Sequence, residues 1–261
     1  MISSVTMASI VIQGLIALVF VVGLFWYMFK RERFSMRPVW VGALIFFVFT
    51  QILEKGLHFV VLQSDADANG ILSNPVVFAL YGALSAGIFE EVGRFVGFRL
   101  LLKNNCERKD GLAYGLGHGG IEAIFIGVIS SIQTLVFAML INQGKFLQTI
   151  GSNIPEHMAI TLQDKMLNMS NFEFLLAGFE RIPAVIIQIA LSLIVLYAVR
   201  TRRNLVVLYA ILLHALVNFV PGIYQGYKGA FNIWIAEGVV LLFGIVAVGL
   251  IRYSRFWRSW A

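Results

Sequence analysis

Long apolar segments separated by short polar ones run through the whole of this 261-residue chain. A helix needs about 20 mainly apolar residues to cross the hydrocarbon core of a bilayer. Seven segments approach or exceed that length, and we expect the sixth to be the shortest because Pro221-Gly222 should end it. The pattern therefore predicts an all-α, polytopic membrane protein with about seven transmembrane helices, at residues 5–29, 39–62, 76–102, 112–141, 174–199, 205–220 and 233–251.

The composition agrees with a membrane protein. Hydrophobic residues make up 59% of the chain and charged residues 13%, with a mean hydropathy of +0.84, whereas about 25% of the residues in a soluble domain are charged. We expect one transmembrane domain over residues 1–261, with core helices at about 76–220. The outer loop at 142–173 should contain an amphipathic helix at 154–169. Glycines at the start of the fourth helix predict either a kink or a close backbone approach, at positions 111, 115, 117, 119 and 120.

The basic residues concentrate in the loops that follow odd-numbered helices. The formal net charge is +6, and basic clusters occupy residues 30–37, 103–109, 200–203 and 252–258, whereas the other loops are acidic or nearly neutral. Lys and Arg are enriched in cytoplasmic loops, so we expect the N-terminus outside and the C-terminus in the cytoplasm. The same distribution explains the positive charge without a nucleic-acid partner, and the lipid bilayer is the expected partner.

Two adjacent carboxylates, Glu90 and Glu91, lie in an apolar segment with Arg94 one helical turn further on. A charge at the centre of a membrane helix costs about 2.5–3.5 kcal/mol on insertion scales, so such groups usually have partners and a function. Two neighbouring carboxylates tend to share a proton, and this suits a general base that activates water. The alternative interpretation is a buried ion pair that locks helices together.

Two histidines occur in later apolar segments, each with a polar residue four positions further on. His118 precedes Glu122, and His214 precedes Asn218, so each pair shares one helix face. At about 1.5 Å rise per residue, Glu91 and His214 both lie roughly 15 Å from the cytoplasmic helix ends. The groups can therefore meet in one layer of the membrane. Alternatively, each histidine makes only an interhelical hydrogen bond, and Glu122 either orients His118 or balances Arg94.

Three motifs at these positions resemble a known superfamily. Its Glu-Glu-x-x-x-Arg, Phe-x-x-x-His and His-x-x-x-Asn/Asp motifs correspond here to Glu90-Glu91-Val-Gly-Arg94, Tyr114-Gly-Leu-Gly-His118 and His214-Ala-Leu-Val-Asn218. The chain resembles the glutamic intramembrane proteases related to CAAX-prenyl endopeptidases and bacteriocin-immunity proteins, and more narrowly the YhfC-type membrane peptidases. The resemblance covers residues 81–221. The arginine comes one residue early, which leaves Arg94 and Arg99 open for the family role, and a tyrosine replaces the phenylalanine.

The resemblance implies an endopeptidase in a bacterial cell membrane that cleaves a membrane protein or a lipidated or hydrophobic peptide. It implies that Glu90 and Glu91 activate a water molecule with assistance from His118, while His214 and Asn218 stabilise the oxyanion. This metal-free mechanism, without a cofactor, is the favoured expectation. A zinc-dependent version remains open, because His118, His214 and Glu91 would make a two-histidine, one-carboxylate ligand set.

Two other functions also fit the sequence. Glutamate, histidine and arginine at mid-membrane depth are typical of an ion- or proton-coupled transporter, although transporters often have internal repeats that this sequence does not clearly show. A catalytically inactive binding or immunity protein of the same fold is the other alternative. Proteolysis of a membrane peptide separates these functions.

Overall fold

Helices form the regular secondary structure in a computed structural model of the protein, which describes residues 1–65, 70–152, 154–227 and 232–257. No strand occurs in these ranges. Seven helices are long and apolar enough to span a membrane, which confirms the predicted number and approximate positions. The spans are Ser4–Glu32, Met36–Ser64, Pro75–Leu101, Arg108–Asn142, Asn171–Thr201, Asn204–Gly226 and Ile233–Phe256. The orientation of the two termini stays a prediction.

The sixth span is longer than predicted, because its helix continues past Pro221 to Gly226. A proline within a helix removes one backbone hydrogen bond and usually kinks or ends the helix. Here the helix packs against the third span, and a Cβ atom at Gly222 would lie 3.1 Å from the Cα of Ala79. The close packing of the two helices accounts for the continuation, so the expectation that Pro221-Gly222 ends the helix is wrong.

Two short helices lie between the fourth and fifth spans, at Phe146–Ile150 and Glu156–Asn168. The second confirms the helix predicted at 154–169, and it buries Ala159 and Met166. Its position on the membrane surface stays a prediction.

Three spans contain a π-helical segment, at Phe47–Glu54, Gly97–Leu101 and Ile124–Ile129. Such segments often occur at functional sites, because an extra residue per turn changes the direction of neighbouring side chains. The second segment begins three residues after Arg94, and the third begins two residues after Glu122.

The chain divides into two compact units. The first comprises Met1–Trp26 and Glu122–Ile182, and the second comprises Tyr27–Ile121 and Pro183–Ala261. In the first unit, a buried apolar cluster includes Ile10, Ala138 and Phe174. The second unit contains every candidate site residue except Glu122. A single transmembrane domain over the whole chain stays a prediction.

Glycines of the fourth span allow close helix packing in the second unit. A Cβ atom at Gly117 would lie 2.0 Å from the carbonyl oxygen of Val39, and one at Gly115 would lie 2.5 Å from the Cα of Ile189. Only glycine leaves room for backbones at these separations. The structure therefore contains the close backbone approach, which is one of the two consequences predicted for these glycines.

Candidate functional site

Three charged residues of the third span are buried in the second unit. Glu91 and Arg94 are 0% exposed and Glu90 is 5% exposed. Successive residues on an α-helix are rotated by about 100° because one turn takes 3.6 residues. The two carboxylates therefore meet different partners, although Arg94 lies within one turn of both.

Arg94 holds both glutamates. Its Nη1 donates to the two carboxylate oxygens of Glu91 at 2.7 and 2.9 Å, and its Nη2 lies 3.7 Å from Oε2 of Glu90. Hydrogen bonds between two charged groups are stronger than neutral ones. Arg99 is exposed and lies over the Phe95 ring, so Arg94 is the arginine that contacts the glutamates.

His118 reaches Glu90 from the fourth span. Its Nε2 lies 2.8 Å from Oε2 of Glu90, and its side chain is fully buried. The ring is packed between Tyr114 and the edge of Phe46. Its Nδ1 is buried and has no hydrogen-bond partner among the described residues, which leaves a polar atom of this ring unsatisfied.

His214 reaches both glutamates from the sixth span. Its Nδ1 lies 2.7 Å from Oε1 of Glu91, and its Nε2 lies 3.9 Å from Oε1 of Glu90. Glu91 is paired with Arg94 and is therefore a carboxylate that accepts hydrogen bonds, so Nδ1 of His214 carries the hydrogen. The bond to Glu91 orients the ring so that Nε2 is directed toward Glu90.

Gln188 of the fifth span completes this network, although it is not among the predicted site residues. Its Nε2 donates to Oε2 of Glu90 at 2.9 Å, and its Oε1 accepts from Nη2 of Arg94. A Cβ atom at Gly119 would lie 2.8 Å from the Cβ of Gln188, so this glycine makes room for the side chain. The signal in the sequence is an amide in an apolar span at the depth of the glutamates.

Two predicted residues lie outside these contacts. Asn218 is half-buried one turn beyond His214, and no side-chain hydrogen bond within the described ranges involves it. Glu122 is four residues after His118 in the chain and belongs to the first unit. In the first unit, Oε1 of Glu122 lies 3.8 Å from Nη1 of Arg181.

A separate polar cluster joins the second and third spans. His58 Nδ1 lies 2.7 Å from the hydroxyl of Tyr81, and His58 Nε2 lies 3.4 Å from Oε1 of Glu54. Glu54 and His58 therefore pair with each other, and this cluster supplies control residues for experiments on the main site.

Atoms of the types that bind zinc lie near Glu90. The Nε2 atoms of His118 and His214 lie 2.8 and 3.9 Å from the two oxygens of Glu90, and histidine nitrogens and carboxylate oxygens are common zinc ligands. With neutral histidines, two carboxylates face one guanidinium, which leaves one net negative charge in a buried network. A buried uncompensated charge is costly, so a proton or a cation would stabilise this arrangement.

Comparison with known proteins shows similarity to a family model and to a bacterial membrane protein. A family model described as YhfC intramembrane metalloprotease matches residues 15–240. The chain is similar to the uncharacterized membrane protein YhfC of Bacillus subtilis (strain 168), with 41% identity over 225 residues, 86% of this chain and 87% of that protein. No solved structure matches the chain. The wider relationship to CAAX-prenyl endopeptidases and bacteriocin-immunity proteins stays a prediction.

Proposed function

The chain belongs to the YhfC family of integral membrane proteins, whose model is described as an intramembrane metalloprotease, and we propose that it is itself an intramembrane endopeptidase. Its substrate would be a membrane protein or a lipidated or hydrophobic peptide. One observation carries the proposal: histidines from two different spans converge on the buried carboxylate of Glu90. Acid–base groups inside a membrane-spanning unit are energetically costly, so their presence usually marks a functional site.

We assign the metal ligands as Glu90, His118 and His214. The sequence alone favoured a metal-free mechanism and, for the zinc version, Glu91 in place of Glu90. The contacts favour Glu90, because Glu91 is already engaged by Arg94 and by Nδ1 of His214. A bound zinc ion would supply Lewis-acid activation of water and polarisation of the scissile carbonyl.

Three neighbouring side chains would hold the ligands in position. Glu91 accepts the Nδ1 hydrogen of His214 and so fixes the ring with Nε2 toward Glu90. Gln188 donates to Glu90, while Arg94 binds Glu91. Outer partners of this kind typically change metal affinity or activity by about 10–100-fold when they are mutated.

The remaining two candidate residues would act on the substrate. The amide of Asn218 lies one turn beyond His214 and makes no side-chain hydrogen bond within the described residues, so it is available to donate a hydrogen bond to the developing oxyanion. Glu122 offers a carboxylate one turn beyond His118, and it is our candidate for proton transfer to the leaving amine. In the metal-free alternative, Glu90 and Glu91 would activate water themselves.

Cleavage of a model transmembrane peptide in proteoliposomes tests the proposal. Wild-type protein should cleave the peptide, and Glu90→Gln should lower the rate by more than about a hundredfold, because loss of a ligand should exceed the loss of an outer partner. The control is Glu237→Gln, which removes a carboxylate from the seventh span outside the Glu90 network and should leave cleavage unchanged.

Four other results would overturn all or part of this proposal. If a strong chelator has no effect on wild-type cleavage, the metal-dependent version fails and the metal-free version remains. If Glu90→Gln cleaves normally, the site assignment is wrong. If the wild type cleaves no peptide but carries a proton or solute flux that Glu90→Gln abolishes, the protein is a transporter. If it does neither, it is an inactive binding protein.

A further inference from the structure

A cavity of about 440 Å³ lies one helical turn from the Glu90 network in the second unit. Phe95 in its wall is four residues after Glu91 on the third span, and Arg202 and Asn204, where the fifth span meets the sixth, also line it. A second cavity of about 370 Å³ shares part of this wall and continues along the sixth span to Ile211. None of Glu90, Glu91, His118 and His214 lines either cavity.

One end of this double cavity is cationic. Arg99 and Arg202 both line it, and neither forms a salt bridge within the described residues. Other arginines on the same face have acidic partners, since Arg108 and Arg255 each lie within 4.0 Å of Glu32. The Arg99 guanidinium is held over the Phe95 ring at 5.3 Å. Two positive charges thus remain available to an anion that enters the cavity.

The backbone at Arg202 is unusual. Its φ of 55° lies in the left-handed region, where glycine or asparagine is normally found at the end of a helix. The Arg202 N–H donates to the carbonyl of Val199, and the next N–H donates to the carbonyl of Ala198, which is the Schellman arrangement. The sequence therefore has a cation at a position where glycine would be less strained.

The other end is apolar and runs toward the interior of the membrane. Val207, Leu208 and Ile211 line it along one side of the sixth span. From Asn204 to Ile211 the helix rises about 10 Å, which matches the length of the part of an acyl chain nearest the headgroup. Leu208 is 48% exposed, so the groove is accessible from the lipid-facing surface. A ligand that fits both ends has an anionic head and a hydrocarbon tail.

We propose that this double cavity is a binding site for an anionic phospholipid, whose phosphate pairs with Arg99 and Arg202 while one acyl chain lies along Val207, Leu208 and Ile211. The phosphate matches the two unpaired guanidinium groups, and Arg binds phosphate with planar, paired hydrogen bonds. An acidic peptide would match the charges but not the apolar groove. The assignment does not depend on proteolytic activity.

Native mass spectrometry of the full-length protein in mild detergent tests the site. Titration with phosphatidylglycerol should detect one tightly bound lipid, and phosphatidylcholine with the same acyl chains should bind more weakly. In Arg99→Gln/Arg202→Asn, where asparagine tolerates the left-handed backbone, the dissociation constant should rise about thirtyfold. The matched control, Lys103→Gln/Arg203→Gln, removes two charges from the same face outside the cavity lining and should bind as the wild type does.

Several results would overturn the proposal. If both double variants lose the same lipid affinity, the lipid is held by diffuse attraction to a basic surface. Glycerol phosphate that displaces the lipid at similar concentration would mean a site for a soluble phosphate. If Arg99→Gln/Arg202→Asn binds the lipid as the wild type does but cleaves substrates with an acidic juxtamembrane segment more weakly, the cavity is a peptide site. If the double variant does not fold, Arg99→Gln alone should raise the dissociation constant about fivefold, and no change would overturn the assignment.

Discussion

Nδ1 of His214 donates to Oε1 of Glu91 at 2.7 Å, and this hydrogen bond joins the third and sixth spans at the centre of the buried network. The same carboxylate receives two hydrogen bonds from Arg94. Glu91 therefore takes part in three hydrogen bonds, whereas Glu90 is the carboxylate on which two histidine Nε2 atoms converge. Adjacent glutamates thus have different surroundings, and we assign them different roles: Glu91 orients and Glu90 binds. A carboxylate that orients a metal-binding histidine is a common arrangement in metalloproteins.

The ion pair between Glu91 and Arg94 predicts a stability effect that is separate from catalysis. Both side chains are 0% exposed, so Glu91→Gln removes the nearer charge partner of a buried guanidinium and leaves only Glu90, at 3.7 Å. Breaking one side of a buried pair typically costs about 3–5 kcal/mol. We expect a clearly lower midpoint of thermal unfolding in detergent for this variant.

An exposed ion pair provides the control for this effect. Glu107→Gln breaks an exposed pair with Lys109 and should leave the midpoint unchanged, because exposed pairs contribute little. A Glu91→Gln protein as stable as the wild type would contradict the importance of the buried pair.

The proposed assignment of His118 and His214 as metal ligands predicts which histidine variants lose zinc. Wild-type protein should copurify with zinc, and His118→Ala and His214→Ala should each lose it, as measured by elemental analysis of the purified protein. His58→Ala is the matched control, because this histidine binds Tyr81 and Glu54 instead, and it should retain zinc. Equal zinc content in all three variants would exclude His118 and His214 as ligands.

From the position of Gln188, we expect its replacement to weaken zinc binding rather than to abolish it. Gln188→Ala removes the donor to Glu90 and the acceptor for Arg94, so zinc affinity should fall about 10–100-fold, as for other outer partners. Gln133→Ala, at an exposed position of the fourth span, should leave the affinity unchanged. Restored cleavage of the Gln188→Ala protein at high zinc concentration would distinguish weakened binding from a damaged active site.

Apolar length was sufficient to predict the seven spans, because a bilayer requires about 20 apolar residues per crossing regardless of packing. Spacing within one helix was also informative, since Arg94 lies within a turn of both glutamates as expected. The different surroundings of Glu90 and Glu91 could not be predicted, because they depend on how the third span is rotated against its neighbours. Packing likewise decided the continuation of the sixth helix past Pro221.

The single cysteine gives a direct test of the predicted orientation. Cys106 lies in the basic loop between the third and fourth spans and is partly exposed. If that loop is cytoplasmic, a membrane-impermeant maleimide should label it only after the cells are permeabilised. Glu156→Cys in a Cys106→Ser background should be labelled in intact cells. The reverse pattern would mean that the protein has the opposite orientation.

The close approach of the second and fourth spans predicts a large effect of one methyl group. A Cβ atom at Gly117 would lie 2.0 Å from the carbonyl oxygen of Val39, so Gly117→Ala must separate the two helices next to His118. Overpacking of this kind typically costs about 1–3 kcal/mol, and we expect a lower unfolding midpoint and weaker zinc binding. Gly82→Ala is the control, because nothing lies within 4 Å of the added atom, and alanine in a helix interior is favoured over glycine by about 0.5–1 kcal/mol. If the two variants have the same unfolding midpoint, the second and fourth spans are not packed as closely as these distances require.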